Sequence, residues 1–331
     1  MDGKILIIFL YVDHLILMGD ENLIHSCKAN LAKEFEMKDL GLLHYFLGLE
    51  IWQREGELFV SQGKYAWEIL GKFHMEDCKP MDTPLLGNWR KEDATSTEVV
   101  DATVYPQLVG SLMYLFNTRP NICYVMNQLS QAMVNPTKLF WKEGKHVLKY
   151  LTGTFKYGLW YRQTDEVKLH GFTDADWAGS PTDRKSTSRG IFSIWSIAVS
   201  WYSTKHSSLA LSSVEAEYMA ASLAACEAIW IRKTLVGLFD SHLDPTVIYC
   251  DNQSCIKISV NPVFHDRSKQ IDIRYHDIRD FVQWKIMLLQ YIPTEDQDAN
   301  ILMKALTRRK FEYHGGRIGV KENPYLVERE C

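Results

Sequence analysis

Three carboxylates in this 331-residue chain stand at the edges of short apolar runs: Asp174 in GFTDADWAG, Glu217 in LSSVEAEYMA and Asp251 in IYCDNQS. One acid at a strand end means little. Three acids on separate elements are what a pair of divalent cations requires, since ions held roughly 3.5–4 Å apart hydrolyse phosphodiesters. Asp174 ends the strand-like run Val167 to Thr173, where a carboxylate points out of a sheet mouth, and Asp176 follows as a secondary candidate on the same face. Asp251 follows the apolar run Val247 to Cys250, and a helix N-cap is its alternative role. Glu215 and Glu217 lie two apart, so on a helix they point to different faces. Ser212-Ser-Val-Glu215 has capping-box spacing, which gives Glu215 a structural task at the helix start.

These acids need strands and helices to bring them together. Residues 1–80 alternate strand-like runs (Ile5 to Tyr11, Leu15 to Met18, Tyr45 to Trp52, Leu58 to Ser61) with a helical stretch from Asn22 to Phe35. The first two runs read as a buried hairpin. Pro80, Pro84 and the polar stretch from Asn88 to Thr97 mark a break. Residues 102–153 are expected to be mostly helical, with Leu108, Leu112 and Leu115 on one stripe and a third helix from Lys138 to Leu151. From Val167 the pattern becomes strand, strand, strand, helix, strand, helix, strand, helix. The tail from Arg308 is polar, with Gly315-Gly316 and Pro324, and reads as loosely held.

Composition narrows the classes. Hydrophobic content of 46% and charged content of 24% fit a globular protein with ample core material. A net charge of −4 argues against a strongly basic nucleic-acid coat but leaves room for a local basic groove. The seven cysteines are scattered and form no CxxC pair, which speaks against a disulfide framework or zinc site and fits a reducing compartment, cytoplasmic or nuclear. The apolar start is interrupted by Asp13 and His14 and lacks a basic flank or cleavage site, so it is not read as a signal peptide or a membrane anchor.

A colinear series then carries a resemblance: YVDHLILMGD, KEFEMKDLGLLHYFLGLEI, VGSLMYL, TRPNICY, GFTDADWAGSPTDRKSTSRG, LSSVEAEYMA, IYCDNQS, NPVFHDRSKQIDIRYH and YIPTEDQ. The chain resembles the C-terminal part of a copia-type retrotransposon Pol polyprotein, the end of its reverse transcriptase followed by its RNase H. The resemblance implies an α+β palm remnant at 1–80, a mostly helical thumb or connection at 81–166, an α/β ribonuclease-H-like domain at 167–310 and a loose tail at 311–331. It also implies that Asp174, Glu217 and Asp251 position two Mg²⁺ ions for cleaving the RNA strand of an RNA–DNA hybrid, with no small-molecule cofactor. One ion would activate water and the other would stabilise the leaving 3′ oxygen. The family's fourth acid falls on Asn300, which weakens the second ion, and a helix starting around Asp296 is expected to carry it.

Several positions offer nucleic-acid contacts: Lys185 and Ser186, Asn252 and Gln253, and Arg267, Lys269 and Arg274 in the clearest basic stretch. For that stretch a solvated, salt-bridged helix face is an equal alternative, because Asp266, Asp272, Asp277 and Asp280 partly balance it. Asp13 and His14 stand where reverse transcriptases carry two adjacent Mg²⁺-binding aspartates, and His14 breaks the pair. The upstream polymerase segment with the other metal-binding aspartate is expected to be missing. Two function classes therefore remain: a hybrid nuclease fused to an inactive polymerase remnant, or a decayed, non-catalytic remnant with at most weak nucleic-acid binding.

Overall fold

The computed structural model describes residues 4–87, 103–164, 167–180, 183–239, 243–260 and 277–325. The chain opens with a hairpin of β1 (Leu6–Tyr11) and β2 (His14–Gly19), paired from Leu6 opposite Gly19 to Tyr11 opposite His14. Helix α1 (Glu21–Glu34) follows, N-capped by Asp20, whose carboxylate accepts from the Asn22 and Leu23 amides. The hairpin is not buried as its apolar residues suggest. Ile8, Phe9 and Leu10 are 51%, 48% and 66% exposed. Runs apolar on both faces read as strands covered on both sides, but this sheet has only two strands and α1 buries none of its own residues.

A second sheet has the order β12-β6-β5-β4-β3 and is antiparallel throughout, from β3 (Tyr45–Phe46), β4 (Leu49–Arg54), β5 (Glu57–Ser61) and β6 (Tyr157–Arg162) to β12 (Val320–Glu322). The run Tyr45 to Trp52 is a tight hairpin rather than one strand. Leu47 and Gly48 turn the chain at φ +48° and +73°, the left-handed pair that two-residue hairpins favour. A Cβ at Gly48 would strike the Tyr114 hydroxyl, which donates to the Leu47 carbonyl across the turn.

Helices α2 (Gly63–Lys72), α3 (Val104–Leu115), α4 (Cys123–Ser130) and α5 (Lys138–Thr152) pack through one apolar core, in which Leu108, Leu112 and Leu115 are buried as their spacing predicts. Arg119 of the TRPNICY motif lies within it, donating to the Thr154 carbonyl and hydroxyl and to the Tyr150 hydroxyl.

The third sheet has the order β11-β10-β7-β8-β9: β7 (Leu169–Asp176), β8 (Thr187–Ile194) and β9 (Ile197–Lys205) are antiparallel, and β10 (Thr246–Cys250) and β11 (Met287–Tyr291) run parallel to β7. This is the expected ribonuclease-H-like α/β unit following an α+β and helical segment. Helix α6 (Ser213–Phe239) crosses one face through Ala216, Ala220, Ala221, Ala224, Ala225 and Ala228, small side chains that let it approach closely. Helices α7 (Gln253–Val260) and α8 (Asp277–Gln283) complete that face. The opposite face contributes Phe172, Ile191 and Ala198 to the core of α3–α5.

The tail is not loose through Tyr325. Helix α9 (Arg308–Arg317) buries Phe311 and His314, and β12 pairs with β6. A polar stretch reads as unstructured only because its partners, 161 residues upstream by Leu159↔Val320, are remote in sequence. Strands from residues 45–61, 157–162 and 320–322 share one sheet, so boundaries at 80, 166 and 310 cut across it. Among the described residues no helix is long and apolar enough to cross a membrane.

Candidate metal centre

Asp174 sits two residues inside the end of β7, opposite Arg189 of β8, and is 4% exposed. Glu217 stands in the first turns of α6, which packs on β7. Its Oε1 accepts from the Ala175 amide at 3.4 Å, and its Oε2 is buried with no hydrogen-bond partner among the described residues. Asp251 lies just past β10, half-buried, and accepts from the Thr294 hydroxyl at 2.7 Å. The carboxylates of Glu217 and Asp251 lie within 4.8 Å of one another. Burial, then the Asp251 charge, pushes the Asp174 carboxyl up to about 6, and the Arg189 charge partly offsets this. Burial, then the neighbouring Asp174, raises Glu217 still further. Acids crowded into low dielectric lose affinity for their own charge until a cation arrives.

The competing roles resolve locally. Ser212 Oγ accepts from the Glu215 amide at 3.1 Å, and Glu215 reaches back to the Leu211 amide at 2.8 Å, so Glu215 caps α6 while Glu217 faces the cluster. Asp251 is not the cap of α7. Asn252 is, its Oδ1 accepting from the Cys255 amide at 3.0 Å. Asp176 is held by the Thr187 amide and by Arg189 at 3.1 Å, so its carboxylate is already engaged.

Asn300 lies 2% exposed on a short 3₁₀ segment, Asp298–Leu302, rather than on a helix from Asp296. An extended Gln297 (ψ 103°) separates that segment from the turn Thr294–Asp296. The Asn300 amide donates to the Thr294 carbonyl at 2.6 Å, and its Oδ1 is buried without a partner. Thr294 thus links Asn300 to Asp251. Asp298 turns elsewhere, accepting from His314 Nδ1 at 2.7 Å and Arg317 Nε at 2.9 Å of α9. The tail therefore moors the segment that carries Asn300. Asp298→Ala would strand His314 in the core with its partner removed and is expected to destabilise the fold by about 3 kcal/mol, read as a lower denaturation midpoint. An unchanged midpoint would show the mooring to be idle.

Gln297 escapes a reading that looks for acids. It is fully buried and donates to the carbonyls of Thr173 (2.9 Å) and Tyr249 (3.4 Å), clasping β7 and β10 where they deliver Asp174 and Asp251. The only sequence signal was its place at the end of YIPTEDQ.

The remaining candidates are dispersed. Lys185 is half-buried, and Ser186 is fully buried with its hydroxyl accepting from the Ala178 amide, so Ser186 braces its loop from inside. Gln253 is exposed at the start of α7. Arg267, Lys269 and Arg274 lie outside the described residues. Asp13 and His14 form an exposed pair at the tip of the first hairpin, Nδ1 to Oδ1 2.7 Å. A hydrogen bond from its own backbone, then His14, holds the Asp13 carboxyl below its usual range.

Comparison with known proteins places this geometry in context. A family model for reverse transcriptase (RNA-dependent DNA polymerase) matches residues 1–87. The chain is 38% identical over 324 residues to the retrovirus-related Pol polyprotein from transposon RE1 of Arabidopsis thaliana, covering 97% of this chain and 22% of that protein. It is 37% identical to the corresponding polyprotein from transposon TNT 1-94 of Nicotiana tabacum, covering 97% and 25%. The chain thus spans about a quarter or less of those relatives. An uncharacterized mitochondrial protein of Arabidopsis thaliana is 38% identical over 224 residues, covering 67% of this chain and 93% of that one. Among solved structures, LC11-RNase H1, isolated from compost by a metagenomic approach, is 15% identical and covers 41% of this chain and 93% of that one, with a TM-score of 0.33.

Proposed function

The chain belongs to the copia-type Pol polyproteins of retrotransposons, and from that premise we propose that residues 167–310 cleave the RNA strand of RNA–DNA hybrids with divalent metal. The observation that carries this reading is the crowding of Asp174, Glu217 and Asp251, from three separate elements, around an unpartnered Glu217 oxygen. The buried Asp174 and Glu217, both raised by burial and by neighbouring acids, together with the free Asn300 carbonyl oxygen, fit a hard cation that accepts oxygen donors. Asp174, Glu217 and Asp251 would hold two Mg²⁺ ions, the second more weakly beside the neutral Asn300. When bound, such ions supply an activated water and charge stabilisation for the departing 3′ oxygen.

The protein's own groups do the positioning. Gln297 keeps the ends of β7 and β10 in register, Thr294 orients Asp251 through its hydroxyl, and Arg189 offsets part of the negative charge around Asp174. Lys185 and Gln253, with Arg267, Lys269 and Arg274 of the basic stretch, would meet phosphates of a hybrid recognised mainly by shape. Cleavage of a labelled hybrid on a gel, with and without Mg²⁺, tests the reading. RNA-strand products that require metal support it. Absence of products at every Mg²⁺ concentration favours the second reading, a non-catalytic remnant, which the Asn300 amide bonded to Thr294 supports.

For the hairpin segment we expect no template-directed primer extension from the purified chain, because Asp13 has His14 where a second carboxylate would neutralise triphosphate charge. His14→Asp alone is not expected to restore it. Extension above background by either protein would overturn this expectation.

A further inference from the structure

Cys250 closes β10 one residue before Asp251, and the chain then curls around its sulfur: the Asn252 amide donates to Sγ at 3.4 Å. This curl sets neighbouring side chains toward one point, although successive residues of a straight strand face opposite ways. One ligand atom each from Glu217, Cys250 and Asp251 lies within 4.8 Å of the others. Glu217 is 7% exposed, and among the described residues its Oε2 has no hydrogen-bond partner. A second buried thiol, Cys255, lies beside Cys250. Neither cysteine belongs to the carboxylate set assigned above.

We propose that Glu217, Cys250 and Asp251 form a site for a thiophilic divalent cation of the zinc or cadmium class, overlapping the oxygen-donor site and excluding Mg²⁺ when filled. The proposal shares Glu217 and Asp251 with the functional reading and rests on it only for the overlap. A tetrahedral zinc ion with sulfur at about 2.3 Å and carboxylate oxygens at about 2.1 Å sets its ligand atoms about 3.6 Å apart, so the three atoms need to close by an ångström or so. Binding breaks the S–H bond, forms a metal–sulfur bond and releases the proton to water, with no change of oxidation state. Mg²⁺ takes oxygen donors and leaves the thiol untouched. The two cations therefore use the same pair of carboxylates in different ligand sets. Asp251, half-buried at the rim, is the side from which an ion enters.

The test is a Cd²⁺ titration of the metal-free full chain, followed by thiolate-to-cadmium charge-transfer absorption. Cys27, Cys78, Cys226 and Cys331 are first replaced by Ser, so that only Cys123, Cys250 and Cys255 of the seven cysteines remain. The expected result is a saturable band of one equivalent, lost in Cys250→Ser and kept in Cys255→Ser. Its apparent affinity should fall about tenfold or more in Glu217→Gln or Asp251→Asn, and added Mg²⁺ should shift the titration to higher Cd²⁺. Cys250→Ala, checked by circular dichroism, stands in if Cys250→Ser does not fold. A band that persists without Cys250 overturns the site. Unchanged affinity in both carboxylate variants would put the ion on the thiols alone and also overturn it, and indifference to Mg²⁺ would overturn the overlap. Failure of hybrid cleavage would remove the nuclease reading while leaving the Cd²⁺ band as evidence for this site.

Discussion

Asp174→Asn is expected to lower Mg²⁺-dependent hybrid cleavage roughly a hundredfold or more while making the metal-free protein more stable. The two effects share one cause. In the metal-free fold the Asp174 carboxyl is raised from its ordinary 3.8 to about 6 by burial and by Asp251. At low pH the folded and unfolded chains both keep this proton. As pH rises past 4 the unfolded chain releases it first, so the folded state binds more protons and loses stability until about pH 6, beyond which this group adds no further loss. Asn carries no such penalty, and its amide can donate to the unpartnered Glu217 Oε2. The melting temperature of the metal-free variant at pH 7 should therefore exceed that of the parent by roughly 2–6 °C, and the parent's decline between pH 4 and 6 should flatten. Saturating Mg²⁺ should raise the parent's melting temperature and leave the variant's nearly unchanged. An ordinary packing defect would lower activity and stability together. Full activity in Asp174→Asn, or a lower melting temperature without metal, would remove Asp174 from the centre.

Asn300→Asp is expected to raise hybrid cleavage and lower its Mg²⁺ requirement several-fold, at the expense of stability when metal is absent. Asn offers the ion a neutral oxygen, whereas Asp offers a full charge. The same exchange replaces the amide that donates to the Thr294 carbonyl with a carboxylate oxygen facing it, in a position 2% exposed. Losing that hydrogen bond and burying a further acid should cost about 1–3 kcal/mol in the metal-free fold, which Mg²⁺ then offsets. The measurement is a metal titration of cleavage by both proteins on one hybrid, beside melting curves with and without Mg²⁺. Equal cleavage at every concentration would show that Asn300 is not limiting. Inactivity of both would favour the non-catalytic reading, in which the amide clasp to Thr294 is simply structural.

What the sequence by itself determined is local. The strand and helix order from Val167 as far as α7, the stripe Leu108, Leu112 and Leu115, and the cap formed by Ser212 and Glu215 all depend on residues within a turn or two of one another. Capping-box spacing therefore gave Glu215 its structural task, the resemblance gave Glu217 its place in the cluster, and the edge of an apolar run marked where Asp251 leaves β10, whereas β7 runs two residues past Asp174. Tertiary structure decided everything that depends on a remote partner. The first hairpin has apolar residues on both faces, yet exposure is set by what packs against them, and here little does. The polar tail gains its order from strand β6, which β5 already holds on its other edge, through pairing between residues 157–159 and 320–322. Asp298 is bound to His314 and Arg317 of the distant tail, while the neutral Gln297 beside it holds two strand ends together. Cys250, unremarkable in a chain without CxxC pairs, faces Glu217 because the turn at Asn252 curls around its sulfur. Periodicity and capping are encoded over a few residues. The direction of a buried side chain is fixed by contacts summed over the whole fold, and no local pattern carries that sum.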